Sequence, residues 1–152
     1  MAKSIMKVPF GFKGIHACKV GVIMCLDFRF RRQTLYCIEE AYRVRAFDLA
    51  SLPGSSRGVS RDSQMAISCV TVPCDLHDIE TLIIVHHMDC GAYRGSERFN
   101  FDSVAEQAFY ENELRKSRKE IMALYPAMKV ILIYAKLVDN EENVEFLEIE
   151  DE

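Results

Sequence analysis

What this chain lacks narrows it before any motif is read. No linker, internal repeat or low-complexity stretch interrupts its 152 residues. One domain over 1–152 is therefore expected, and an apolar share of 49% is enough to build a proper core. Basic charge is not in excess: 19 Lys and Arg face 23 Asp and Glu, for a formal net charge of −4. That removes the electrostatic footing for nucleic acid and leaves a small molecule as the expected partner. No apolar run approaches the length of a membrane span, so no membrane partner is expected. The opening Met1-Ala2-Lys3-Ser4 lacks the apolar core and small-residue cleavage site of a secretory leader, so the expected location is cytoplasmic. In that reducing setting the six cysteines, none in C-x-x-C spacing, read as thiols or ligands rather than disulfides.

What is present alternates strand and helix. Val20 to Met24 is a continuous apolar run, too short for a helix and rich in β-branched residues, as a strand covered on both faces should be. Gln33 to Arg45 carries Leu35, Ile38, Ala41 and Tyr42 at helical spacing. Ala46 to Leu49 reads as a second strand, Leu52 to Gly58 as a Pro- and Gly-marked loop, and Ser63 to Val72 as a modest helix. Thr81 to Val85 is the clearest strand and delivers His86 and His87 at its end. Asp102 to Tyr125 predicts one long amphipathic helix capped by Asp102 or Ser103 and stopped by Pro126. Val130 to Tyr134 and Val144 to Ile149 complete the strands, the last as an edge. The order predicts an α/β, three-layer fold, with a central, mainly parallel sheet flanked by helices. In such sheets ligands sit beyond the carboxyl ends of the strands at a switch point.

Two short segments occupy such strand ends: Cys25-Leu26-Asp27-Phe28-Arg29 and His87-Met88-Asp89-Cys90-Gly91. Together they offer two thiolates and an imidazole, a donor set that suits tetrahedral Zn(II) with a fourth position open for water. Metal-assisted chemistry is the expected work. Cys25 to Arg31 also satisfies the C-x5-R spacing of a cysteine phosphatase loop. Bulky Leu26, Phe28 and Phe30 and the negative Asp27 weigh against that reading.

The pair of motifs, with the local run Ile84-Val85-His86-His87-Met88-Asp89-Cys90-Gly91, resembles the active-site signature of the β-class carbonic anhydrases, whose relatives include carbon disulfide hydrolases. The resemblance implies a β-carbonic anhydrase-like fold and one zinc per chain, held by Cys25, His87 and Cys90. It implies that Asp27 and Arg29 are the catalytic dyad: Arg29 fixes the Asp27 carboxylate, which accepts a hydrogen bond from a zinc-bound water or hydroxide. It implies hydration of carbon dioxide to bicarbonate, or attack on a related small linear electrophile, and a homodimer or higher homo-oligomer with pockets at subunit contacts. The alternative is a non-catalytic zinc-binding or ligand-sensing protein on the same scaffold, with Asp27 closing the metal site.

Two departures from the family pattern touch the pocket. Phe28 stands where a serine is usual between the aspartate and the arginine, and 51–58 replaces the expected Arg-Asn-Ala-Gly turn. If Phe28 faces the pocket it should narrow and dry it; if it faces the core it should chiefly support the fold. His86 is expected to be a packed neighbour of the site rather than a ligand, because a strand points successive side chains to opposite faces. Cys18, Cys37, Cys69 and Cys74 are expected to be core thiols, and His16 and His77 surface or capping groups. Asp89 and Arg94 are expected to be solvated polar groups, and Glu111 to Glu120 the wet face of a helix.

Overall fold

A computed structural model describes residues 2–61 and 63–150. Met1, part of the N-terminal stretch read above, lies outside the described residues. Among the described residues five strands form one sheet: β1 Val20–Cys25, β2 Asp48–Leu52, β3 Thr81–His87, β4 Lys129–Val138 and β5 Asn143–Glu148, in the order β2-β1-β3-β4-β5. All pairings are parallel except β4 with β5. The helices are α1 Phe28–Ala41, α2 Gln64–His77 and α3 Ser103–Leu124, with 3-10 turns at Ser55–Arg61, Gly91–Tyr93 and Ser96–Phe99. The predicted three-layer α/β architecture is the observed one. Among the described residues no helix is long and apolar enough to cross a membrane.

The all-apolar interior of β1 and β3 follows from burial on both faces. One face packs Val22, Met24, Ile83, Val85, Ile131 and Ile133 against Phe30 and Ile38 of α1. The other packs Ile23, Leu82, Ile84, Leu132 and Tyr134 against Val70 of α2 and Tyr110, Leu114 and Ile121 of α3. The chain leaves β1 for β2 on one side and returns to β3 on the other. The switch point therefore falls between β1 and β3, at the ends where Cys25 and His87 sit.

Two helices differ from expectation. α1 starts five residues before Gln33 because the Asp27 side chain accepts the Arg29 backbone N–H at 3.0 Å and caps it; its buried stripe is Phe30, Thr34 and Ile38. α2 runs on to His77 with Pro73 inside it and ends at Asp78, whose φ is 58°. Asp102 caps α3 as expected, accepting from the N–H groups of Val104 and Ala105. The buried face of α3 includes Glu106, Glu113 and Ser117, while Val104 and Leu124 are exposed. Each of those buried polar groups is hydrogen-bonded, so the wet-face reading fails at Glu113, which accepts from the Tyr93 hydroxyl at 3.2 Å and from Lys116 at 2.9 Å.

Candidate metal centre

β1 carries Cys25 to the end of the sheet and β3 carries His87 to the adjacent end. A tight turn, with Asp89 in left-handed backbone at φ 55°, then swings Cys90 back over them. The turn is pinned by Met88 N–H donating to the Ala135 carbonyl at 2.8 Å, and by Tyr93 and Gly95 N–H donating to the Cys90 carbonyl at 2.9 and 3.0 Å. Cys25, His87 and Cys90 are buried, and their donor atoms lie within 4.8 Å of one another. The two sulfurs are 3.8 Å apart. Two sulfurs each roughly 2.3 Å from a tetrahedral metal stand about 3.8 Å from each other, so the spacing fits such an ion.

The imidazole fits as well. His87 Nδ1 is 2.7 Å from the Met88 carbonyl, which can only accept, so Nδ1 carries the hydrogen and Nε2 presents its lone pair. That Nε2 is buried with no hydrogen-bond partner among the described residues. The ring stacks on Phe30 of α1 at a centroid distance of 4.2 Å, which fixes its plane. His86 points the other way, among Tyr93 and Tyr110, with Nε2 3.0 Å from the Ser56 hydroxyl. Burial, with a lesser contribution from the adjacent His87, lowers its pKa to about 3, so it stays neutral and supports the site from behind.

The thiols share a proton. The hydrogen bond from Cys90 holds Cys25 well below the ordinary thiol range, while the same bond, burial and the neighbouring thiolate push Cys90 up. A cation bound between the sulfurs would favour loss of the second proton.

Asp27 and Arg29 are clamped together. Arg29 Nε donates to both Asp27 carboxylate oxygens at 3.1 Å and Nη2 donates to Oδ2 at 2.7 Å. The Arg29 hydrogen bonds keep Asp27 below the ordinary carboxylate range. The other side of the guanidinium holds Asp89: Nη1 donates to its Oδ2 at 2.9 Å and Nη2 to its backbone carbonyl at 3.0 Å. Asp89 is thus more than a solvated group. Its Oδ1 also accepts the Ser96 N–H, and its own N–H donates to Glu106 at 2.8 Å. Burial opposes its charge, but the bonds from Arg29 and Ser96 and the Arg29 charge outweigh that and lower its pKa. Sequence reasoning missed Asp89 and Glu106. The position of Asp89 between two ligand candidates was the available signal, whereas nothing in periodicity distinguishes Glu106 from its exposed neighbours.

A cavity of about 530 Å³ opens on this group, lined by Cys25, Leu26, Asp27, Phe28, Arg29, Pro53, Gly54, Gly91 and Ala92. Of the two orientations open to Phe28, the structure takes the outward one: it is 86% exposed and lines the cavity mouth. The altered loop supplies the opposite wall. Gly54, at φ 71°, lies so close that a Cβ there would sit 2.9 Å from Ala92 Cβ. Ser55 and Ser56 are fully buried. Cys18, Cys37, Cys69 and Cys74 are half-buried rather than core thiols, and Arg94 is exposed as expected.

The family model described as "Putative carbonic anhydrase" matches residues 15–148. An uncharacterised protein of Rickettsia bellii is 29% identical over 139 residues, covering 84% of this chain and 84% of that protein. An uncharacterised protein of Rickettsia conorii is 27% identical over 139 residues, covering 84% of this chain and 74% of that protein. The structure brings Cys25, His87 and Cys90 together at the switch point as a group able to hold a metal, and the match spans every element that carries them. The chain belongs to the putative carbonic anhydrase family.

Proposed function

We propose that the protein hydrates carbon dioxide to bicarbonate, or adds water to a similarly small linear electrophile, using one zinc held by Cys25, His87 and Cys90. The observation that carries this reading is the convergence of two thiols and an unpartnered imidazole nitrogen beside an arginine-clamped carboxylate, with Cys25, Asp27 and Arg29 lining one cavity. Held by that set, Zn(II) supplies Lewis acidity that makes water nucleophilic near neutral pH. Asp27 does the orienting. A carboxylate has roughly four acceptor sites. The backbone N–H, Nε and Nη2 of Arg29 make four contacts to them, which fixes the carboxylate plane and so the direction in which Asp27 can accept from a water in the cavity. Arg29 keeps that carboxylate ionised, and Asp89 keeps Arg29 in place. Leu26, Phe28, Pro53 and Ala92 give the entrance an apolar lining suited to a neutral substrate. The rival reading, a non-catalytic site closed by Asp27, is disfavoured because closing it requires breaking the clamp.

We extend the reading to a cytoplasmic homodimer. Support comes from uncovered apolar side chains, Leu26 and Phe28 at the cavity mouth and Ile5, Val8 and Phe10 along the N-terminal segment. The test of the chemistry is carbon dioxide hydration by the zinc-loaded protein beside Asp27→Ala and Arg29→Ala. The reading expects both variants to retain zinc and lose most activity, with the double variant little worse than either single. Equal rates in all four proteins would refute the assigned roles, and zinc loss in Asp27→Ala would instead mark it as a ligand.

A further inference from the structure

At the amino end of the same sheet, opposite the centre described above, three side chains of different chemistry converge. Cys18 lies two residues before β1, Asp48 opens β2, and His77 closes α2. Their donor atoms all lie within 4.8 Å of one another, and His77 Nδ1 is 2.7 Å from Asp48 Oδ2. The backbone around them is already fixed. Cys18 N–H donates to the His77 carbonyl at 3.1 Å, and the Lys19 carbonyl accepts from Glu80 and Thr81 N–H at 3.0 Å each. Independently of the donor geometry, a cavity of about 360 Å³ is lined by all three side chains and by His16.

We propose that Cys18, Asp48 and His77 form a second metal site, for a divalent transition ion of the zinc type, with His16 the fourth side chain in reach of the same cavity. The donor chemistry selects the ion. A thiolate and an imidazole exclude magnesium and calcium, and one sulfur, one nitrogen and one oxygen suit tetrahedral zinc or cobalt. Charge balances too, since a thiolate and a carboxylate together neutralise a divalent cation; on binding, the Cys18 proton leaves to solvent. Ligand atoms on such an ion stand roughly 3.3–3.8 Å apart, so on binding the His77–Asp48 pair at 2.7 Å would open while donors as far as 4.8 Å apart would draw in. A half-exposed Asp–His pair by itself contributes little and has no need of a thiol. Converging on one point from three separate segments, the donors would tie the N-terminal segment, edge strand β2 and α2 together. The site does not depend on the hydration chemistry proposed above.

The test is metal content per chain of the zinc-loaded, dialysed protein, with cobalt substitution as a second readout. Wild type should hold two ions, Cys18→Ser one and Cys25→Ser one. Thiolate-to-cobalt absorbance at saturation should fall in the ratio 3:2:1 from wild type through Cys18→Ser to the double variant Cys25→Ser/Cys90→Ser. If Cys18→Ser does not fold, His77→Gln takes its place and should also hold one ion. One ion in wild type that survives in Cys18→Ser or His77→Gln and is lost in Cys25→Ser overturns the second site. So do two ions in both wild type and Cys18→Ser. One ion lost in Cys18→Ser and kept in Cys25→Ser supports this site and overturns the zinc assignment at Cys25, so the two failures are distinguishable.

Discussion

Arg29 ties the two motifs together: one guanidinium holds Asp27 at the end of β1 and Asp89 beyond β3. Its rigid fork serves both carboxylates at once, so Arg29→Lys should lose most of the hydration rate although the charge is kept. Phe28 poses the opposite case. Being 86% exposed, it contributes little to the fold, so Phe28→Ser should change stability by no more than about 0.5 kcal/mol while raising the hydration rate by opening the mouth. A melting temperature measured beside the rate checks both halves. A large loss of stability with no gain in rate would remove the gating role. His86 makes a pH prediction. Its folded pKa of about 3 lies below the ordinary value near 6.5. Between those values the unfolded chain binds the extra proton, so stability falls as pH drops below about 6.5, with a slope of up to about 1.4 kcal/mol per pH unit. His86→Gln should flatten that limb between pH 7 and 5 in urea titrations, and an unchanged slope would contradict it. At this scale the convergence of Cys25, His87 and Cys90, and the pairing of Asp27 with Arg29, were legible because uncommon residues recur at strand ends. The orientation of Phe28 was not, since the first turn of α1 decides it and that turn depends on the Asp27 cap.

The element that sets the site's precision is the 88–96 segment, and its brace is Glu106 in the first turn of α3. Glu106 is fully buried and accepts from Asp89 N–H at 2.8 Å and from the Ser96 hydroxyl at 2.7 Å. Removing it in Glu106→Ala leaves two buried donors unpaired, at a cost of about 2–4 kcal/mol by urea denaturation. The loosened turn should lower the hydration rate while zinc stays bound, and an unaltered denaturation midpoint would contradict the brace. The buried strands were read well from apolar runs, whereas edge strand β2, expected at Ala46 to Leu49, runs Asp48–Leu52; of the two caps expected for α3, Asp102 is the one used. Helix faces were read less well. On α3 the buried side includes Glu106, Glu113 and Ser117, whose partners lie on loops that no periodicity locates. On α1 a single cap moved the start by five residues; of the expected Leu35, Ile38, Ala41 and Tyr42 only Ile38 is buried, and Phe30 and Thr34 complete the stripe.

For the whole molecule, strand order β2-β1-β3-β4-β5 places the switch point between the two motif-bearing strands, and the family match over 15–148 spans all five strands. A homodimer covering the apolar mouth and the N-terminal segment should sediment at twice the chain mass, and Phe10→Asp with Ile5→Asp should shift it toward monomer; a monomeric wild type would contradict this. The most direct test of the central claim is stopped-flow carbon dioxide hydration by the zinc-loaded protein from pH 6 to 9, compared with Cys25→Ser. The account predicts a rate proportional to wild-type concentration, rising with pH and absent in Cys25→Ser. A zinc-loaded wild type no faster than buffer toward carbon dioxide and other small linear electrophiles, across that range, would contradict it.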